Sequence, residues 1–155
     1  MLSNKVIVIT GGAGLIGTEF SNAVAEQNGL IVIADKNQDL AEKVARLINQ
    51  KYPNRAIPMF LDITKKESVL SLIKTVSQNH KRIDALINNA YPRNKHYGRA
   101  LEDVSYEDFC ENVNLHLGGY FLVAQQFASF FKQQGHGNII NLSSIYGVKA
   151  PRFDI

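Results

Sequence analysis

The sequence predicts a three-layer α/β fold, a doubly wound parallel sheet covered by helices on both faces, in one domain over residues 1–155. Three observations carry this. Five apolar runs, at residues 6–9, 30–34, 57–61, 83–87 and 138–142, alternate with segments of helical periodicity. The runs are continuously apolar rather than alternating, the pattern of parallel strands buried on both faces. Glycine and polar residues gather just after the runs, and the carboxyl ends of parallel strands are where such folds bind ligands.

The first run leads into TGGAGLIG at residues 10–17, with a helix beginning near Leu15. Gly12, Gly14 and Gly17 satisfy GxGxxG, a spacing that lets the backbone amides of a helix N-terminus approach a pyrophosphate. Glycine-rich tight turns are common, but this one follows a buried strand and opens a helix, the context that dinucleotide binding requires. Ile16, Phe20, Ala23, Val24 and Gln27 mark the helix, and Asn28-Gly29 stops it. The second strand ends at Asp35, eighteen residues past Gly17. A carboxylate there is placed to accept hydrogen bonds from an adenosine ribose and to repel a 2′-phosphate, favouring NAD over NADP. Lys36 beside it argues the other way unless it is simply a solvated lysine at a strand end.

Leu40, Val44, Leu47 and Ile48 predict the second helix, closed by Tyr52-Pro53-Asn54. Pro58 assigns the third strand to the border of the sheet, because proline cannot donate to a ladder. After Asp62-Ile63, Thr64 and Glu67 predict a capping box of roughly 1 kcal/mol for a third helix. Val69, Leu72, Ile73 and Val76 form that helix's buried face. The fourth strand ends at Asn88-Asn89-Ala90, and residues 91–104 make one long polar connection. Arg93, Lys95, His96 and Arg99 make this loop basic, which suits either an anionic substrate or plain solvation. Ser105 with Asp108 caps a long helix through Phe131, the chain turns at Gly135-His136-Gly137, and the fifth strand delivers Ser143-Ser144 to the edge that holds the glycine turn.

The formal charge of +3 rests on 17 basic residues dispersed along the chain, so nucleic acid is not an expected partner. Cys110 is the single cysteine, without a disulfide or metal-site partner, and reads as a small filler in a helix within a reducing compartment. No signal peptide is expected, and no apolar stretch approaches the roughly 20 residues that cross a bilayer. A cytoplasmic protein without membrane contact is therefore expected.

TGGAGLIG, Asp35, Asp62-Ile63, NNA at residues 88–90 and GNIINLSS at residues 137–144 together resemble the short-chain dehydrogenase/reductase family across the whole chain. The resemblance implies a Rossmann fold, a nicotinamide dinucleotide cofactor and hydride transfer between an alcohol and a carbonyl. It assigns the pyrophosphate turn to Thr10, Gly11, Gly14, Leu15, Ile16 and Gly17. Asp35, with Lys36 adjacent, falls at the adenosine ribose, Asp62 and Ile63 at the adenine, and Asn88, Asn89 and Ala90 beside the nicotinamide-side ribose. Ser144 matches the family's catalytic serine, which polarises the substrate carbonyl; for an isolated Ser-Ser, a strand-end cap is the ordinary reading.

Four departures stand out. Leu15 occupies the middle glycine of the family's usual loop, leaving TGxxGxxG. Tyr91 replaces the glycine of NNAG, where an aromatic narrows the site, stacks on a ligand or packs; NNAYPRN also resembles a subgroup linked to flagellin or surface-glycan modification. The active-site asparagine of the family's long helix falls on His116, with Asn114 two residues earlier, so His116 is either a polar relay member or a structural histidine. Finally, the family's acid/base tyrosine and lysine, spaced YxxxK, lie at least a dozen residues after the serine, whereas Ile155 is eleven residues beyond Ser144. Tyr146 with Lys149 is one residue short and too close. The pair is thus expected beyond residue 155, in a fold interrupted after its fifth strand, and the chain alone is expected to be inactive. The alternative is a non-catalytic dinucleotide-binding module or sensor. A small alcohol or carbonyl substrate, acidic or sugar-derived, and homo-oligomer formation through the helix at residues 105–133 complete the expectations.

Overall fold

The computed structural model describes residues 1–150. Five strands, β1 (Val6–Thr10), β2 (Leu30–Asp35), β3 (Ala56–Phe60), β4 (Ala85–Asn88) and β5 (Asn138–Asn141), form one parallel sheet in the order β3-β2-β1-β4-β5. The helices are α1 (Leu15–Glu26), α2 (Gln38–Lys51), α3 (Lys66–His80), α4 (Tyr106–Val113) and α5 (Gly119–Gln134).

Strand geometry explains the continuous apolar runs, because successive side chains leave opposite faces. Val6, Val8, Val32 and Ala34 join Leu72, Val76, Val123 and Phe127 in one core under α3 and α5. Ile7, Ile9, Ile31 and Ile33 join Val24, Ala41, Val44 and Ile48 in the other, under α1 and α2. With both faces apolar, no residue of β1 reaches water. β3 borders the sheet as Pro58 required, pairing only with β2 and setting Pro58 opposite Ile33. At the amino-terminal edge Asp84 accepts hydrogen bonds from Val6 N–H, Lys5 and Arg82. Burial alone would raise this carboxyl's pKa; the arginine, the amide and the lysine outweigh it and hold it below the ordinary range.

The predicted faces need three corrections. In α2 the buried residues are Ala41, Val44, Ala45 and Ile48, while Leu40 and Leu47 are exposed. In α1 Gly17, Ser21, Val24 and Ala25 are buried and Ile16 is exposed. Small residues lie where a helix comes close to the sheet, so the bulkiest apolar side chains do not mark the contact. The third is the Thr64–Glu67 capping box, which does not form. Lys65 is the N-cap of α3 without a side-chain bond, and Thr64 Oγ1 instead donates to Asp62 Oδ1 at 2.6 Å.

The buried face of α3 is Val69, Leu72, Ile73 and Val76, as its periodicity requires. Asn28 takes the left-handed conformation after α1 (φ 63°), where its side chain is tolerated better than most. The long helix is divided: α4 passes through a π-helical turn, Asn114–Gly118, into α5, which ends at Gln134 before left-handed Gly135. Ser105 caps α4 as expected, its Oγ accepting the Asp108 amide at 3.1 Å. Among the described residues no helix is long and apolar enough to cross a membrane.

Candidate functional site

A cleft of about 960 Å³ opens at the carboxyl ends of the strands, running from the turn after β1 past the ends of β2 and β3 to the segment after β4. β1 lies between β2 and β4, so chain order reverses here, the position where doubly wound sheets bind ligands. Its volume is at the upper end of the range of roughly 300–1,000 Å³ for ligand pockets.

Gly11, Gly14, Leu15, Ile16 and Gly17 line the cleft. Gly11 has φ +62°, and a Cβ there would stand 2.8 Å from the Ala90 Cα, so glycine lets the turn close against the end of β4. A Cβ on Gly17 would lie 2.2 Å from the Gly11 carbonyl oxygen, so the turn folds back on the first turn of α1 only without a side chain. Gly12 faces the other way, packed against Ile9 and Ile33. Gly11, Gly14 and Gly17 therefore face the cleft, and Gly12, the first position of GxGxxG, packs into the core. α1 begins after Gly14 with no side-chain cap and no acidic residue in its first turn. Its first amides have no intrahelical acceptors, so the field at this end of the helix favours negative charge.

Asp35 and Lys36 reach the cleft from the end of β2, Asp62 and Ile63 from beyond β3. The Asp35 carboxylate accepts Ala13 N–H at 3.1 Å and Asn37 N–H at 3.0 Å, which fixes its orientation beside the glycine turn. Lys36 is largely solvated, its side chain 73% exposed, and its Nζ lies 2.9 Å from Asp62 Oδ2. Asp62 also accepts the amide and hydroxyl of Thr64. Burial would raise the Asp62 pKa, but Thr64 and Lys36 together bring it below its usual value. Ile63 is buried, with Gly119 close enough that a Cβ on the glycine would come within 2.6 Å of its Cδ1.

Asn89 and Ala90 line the cleft, whereas Thr10 and Asn88 are fully buried behind it. Thr10 Oγ1 accepts the amides of Asn89 (2.9 Å) and Ala90 (3.0 Å) and donates to Asn88 Oδ1 (3.3 Å). Asn88 Nδ2 donates to the Tyr120 carbonyl and to Asn141 Oδ1. Thr10 and Asn88 thus tie β1, β4, β5 and α5 together and hold the cleft-facing backbone in place.

The loop after β4 is anchored rather than merely solvated. Asp108, 8% exposed, accepts from His96 Nδ1 at 2.6 Å, Asn94 Nδ2 at 2.8 Å and Arg99 at 3.4 Å. The His96 hydrogen bond is the main reason its carboxyl titrates below the ordinary range. Two of the loop's four basic residues are therefore committed to Asp108, while Arg93 and Lys95 line the cleft.

Tyr91 packs edge-on to His116 (ring centres 4.3 Å apart), and His116 to Tyr120 (4.8 Å). Burial lowers the His116 pKa and pushes Tyr120 up to about 12. The imidazole is consequently neutral near pH 7. His116 lies in the π turn and lines a smaller pocket adjoining the cleft; Asn114 is exposed, its side chain beside Gly118. Ser144 sits at the same sheet edge but lines neither cavity. Exposed, it caps a short 3₁₀ turn, its Oγ accepting Tyr146 N–H at 3.2 Å. Cys110 is exposed and so is not a core filler.

Tyr97, Glu111 and Leu115 border the two cavities without having been singled out by any motif. Tyr91 and Lys95 also share YxxxK spacing, a coincidence that motif reading overlooks. They lie in an irregular segment, and the Tyr91 hydroxyl, bonded to Tyr97 at 2.8 Å, has its pKa raised, opposite to what an acid/base tyrosine needs.

The family model for short chain dehydrogenase matches residues 5–153. The chain is 39% identical to post-translational flagellin modification protein A of Campylobacter coli, over 99% of this chain and 60% of that protein. It is 32% identical to an NAD-dependent glycerol dehydrogenase of Listeria innocua, over 92% of this chain and 54% of the relative. The crystal structure of an NAD⁺-bound xylitol dehydrogenase superimposes with a TM-score of 0.86 at 28% identity, covering 97% of this chain and 56% of that one. The chain thus spans little more than half the length of these relatives, and its similarity to the flagellin modification protein agrees with the NNAYPRN resemblance. With the family match running through nearly every residue and the switch-point cleft in place, the chain belongs to the short-chain dehydrogenase family.

Proposed function

We propose that the chain binds NAD in preference to NADP and forms the cofactor-binding part of an oxidoreductase acting on an alcohol or carbonyl substrate. One observation supports this above the others: a single cleft joins the free amide end of α1, the fixed Asp35 carboxylate and the Asn89–Ala90 backbone. In this reading the α1 amides hold the pyrophosphate and Asp35 holds the adenosine ribose. Asp62 and Ile63 flank the adenine, and Asn89 and Ala90 face the nicotinamide-side ribose. Neutralisation of Lys36 by Asp62 removes a cation that would otherwise invite a 2′-phosphate. NAD supplies the hydride donor or acceptor. Ser144 polarises the substrate carbonyl, after giving up its hydrogen bond to Tyr146 N–H, and neutral His116, with Asn114 near it, takes the place of the relay asparagine. Residues 145–155 hold no tyrosine and lysine in YxxxK spacing, and we expect the 155 residues by themselves to show no turnover.

The substrate is acidic or sugar-derived, matching Arg93 at the cleft. Nucleic acid and membrane are not partners, and the protein works in the cytoplasm. Phe109, Val113, Leu117 and Phe121 form an exposed apolar stripe along α4, the π turn and α5; the first three also line the smaller pocket, so within the helix at residues 105–133 we assign homo-oligomer formation to the α5 end that carries Phe121.

Calorimetric titration of NAD into the chain tests the binding assignment, with saturable binding expected and its absence contradicting it. The second reading, a non-catalytic binding module, draws on Ser144 serving as a cap in the structure. It predicts that a longer product of the same gene also fails to reduce NAD; turnover by that product, and none by residues 1–155, supports the enzyme.

A further inference from the structure

A second, smaller pocket of about 240 Å³ adjoins the cleft and shares Tyr91, Pro92 and Arg93 with it. Tyr97, Phe109 and His116 complete an aromatic lining. The Tyr91 and Tyr97 rings meet edge-on with centres 5.8 Å apart, and their hydroxyls are 2.8 Å apart. The Arg93 guanidinium stands over both rings, 5.5 Å from the Tyr91 centre and 5.0 Å from that of Tyr97. Stacking on aromatic faces fixes a guanidinium plane without consuming its donors.

Cations around the two cavities divide by partner. Lys36 is paired with Asp62, and His96 and Arg99 with Asp108. Among the described residues Arg93 and Lys95 form no salt bridge, and of the two only Arg93 lines both cavities; Glu111, which lines the larger cleft rather than the small pocket, accepts from Asn94. An exposed, oriented guanidinium beside tyrosine rings offers a bidentate donor for an oxyanion and apolar faces for the C–H surface of a sugar.

We propose that this pocket is the substrate pocket and that Arg93 determines specificity, selecting a hexose-sized polyol bearing a carboxylate or phosphate. The pocket is too small for a dinucleotide, and the cleft beside it has the size for one. The proposal rests on the dinucleotide reading of that cleft and deepens it, placing the substrate anion at the end of the cleft bordered by Tyr91.

Amide chemical shifts of Tyr91, Tyr97 and His116 report on this pocket directly, and with no tryptophan in the chain tyrosine fluorescence, to which all six tyrosines contribute, follows binding alongside them. The test titrates glucose, glucuronate and glucose 6-phosphate at millimolar concentrations into the wild-type chain, Arg93→Gln and Lys95→Gln. The expected result is that glucuronate or glucose 6-phosphate binds about tenfold more tightly than glucose. Whichever anion binds better identifies the substrate charge as carboxylate or phosphate. Arg93→Gln abolishes the preference and Lys95→Gln largely retains it, with shifts centred on Tyr91, Tyr97 and His116. Equal binding of all three sugars, binding of none, an unchanged preference in Arg93→Gln, or equal losses in both variants would overturn it. NAD titrated into the same wild-type sample separates the two readings. NAD binding without an anion preference defeats only the pocket assignment, whereas an anion preference without NAD binding defeats the dinucleotide reading.

Discussion

β1 and β5 belong to the same sheet and each carries isoleucines, yet every residue of β1 (VIVIT) is buried, while in β5 (NIIN) Ile140 is exposed along with Asn138 and Asn141. The same contrast divides the helices. Phe127 of α5 is wholly buried, and Phe121 on the same helix is 65% exposed. The glycine turn, Asp35 and the β4 end are held by a core closed on both faces. Ser144 and the α4–α5 stripe lie on a border where only β4 and α5 give support. A sheet strand acquires its rigidity from its neighbours, so the glycine-turn half of the cleft is preformed, while the segment carrying Ser144 has less to hold it.

The largest expected effect sits in the closed half. Ile33→Ala removes a fully buried side chain and costs about 2–5 kcal/mol in urea unfolding. A loss below about 1 kcal/mol would mean that this core is looser than its burial implies. Gly17→Ala follows. Its Cβ meets the backbone of Gly11 and Gly12, which cannot rotate away, so roughly 1–3 kcal/mol of stability and most NAD binding are lost. Wild-type NAD affinity in that variant would show that the turn does not hold the pyrophosphate.

Acid comes next and acts between the halves. The Asp108 carboxyl is held below its unfolded value, first by His96, so its stabilising effect is full above about pH 4 and is lost as pH falls through the lower folded value. Hydrogen exchange in residues 91–104 is expected to quicken in that acidic window before exchange in β1 does, and Asp108→Asn brings the quickening to neutral pH. Simultaneous opening of both segments would contradict separate anchoring. The smallest effect belongs to the border: Ile140→Ala changes stability by no more than about 0.5 kcal/mol. Phe121→Ser is equally mild on unfolding but lowers self-association in sedimentation velocity. A strongly destabilised Ile140→Ala would mean that β5 is better covered than its exposure indicates.

What was legible in the sequence follows the same division. Continuous apolar runs, the glycine turn and the acidic strand end are local features, and they located the sheet, its Pro58 border and the cleft. The face of α3 was legible because its contact residues are large. The face of α2 was not, because Ala41 and Ala45 permit a close approach that ranks below Leu40 and Leu47 on any hydrophobic scale. The Thr64–Glu67 box failed because Asp62, two residues earlier, accepts the Thr64 N–H that Glu67 would have taken, and α3 starts one residue later, after Lys65. The π turn at Asn114–Gly118 leaves no periodic signature. Thr10 and Asn88 carry motif positions but act through buried hydrogen bonds, and the Tyr91–Tyr97–His116 pocket joins residues up to 25 positions apart, which no local pattern reveals.

In the proposed function Asp35 makes this cleft a site for NAD. Titration calorimetry of NAD and NADP into the wild-type chain and Asp35→Ala tests it most directly. The account predicts that wild type binds NAD at least about tenfold more tightly than NADP, and that Asp35→Ala loses about tenfold in NAD affinity and most of the preference. Binding of neither dinucleotide by the folded wild type, or tighter binding of NADP, would contradict it.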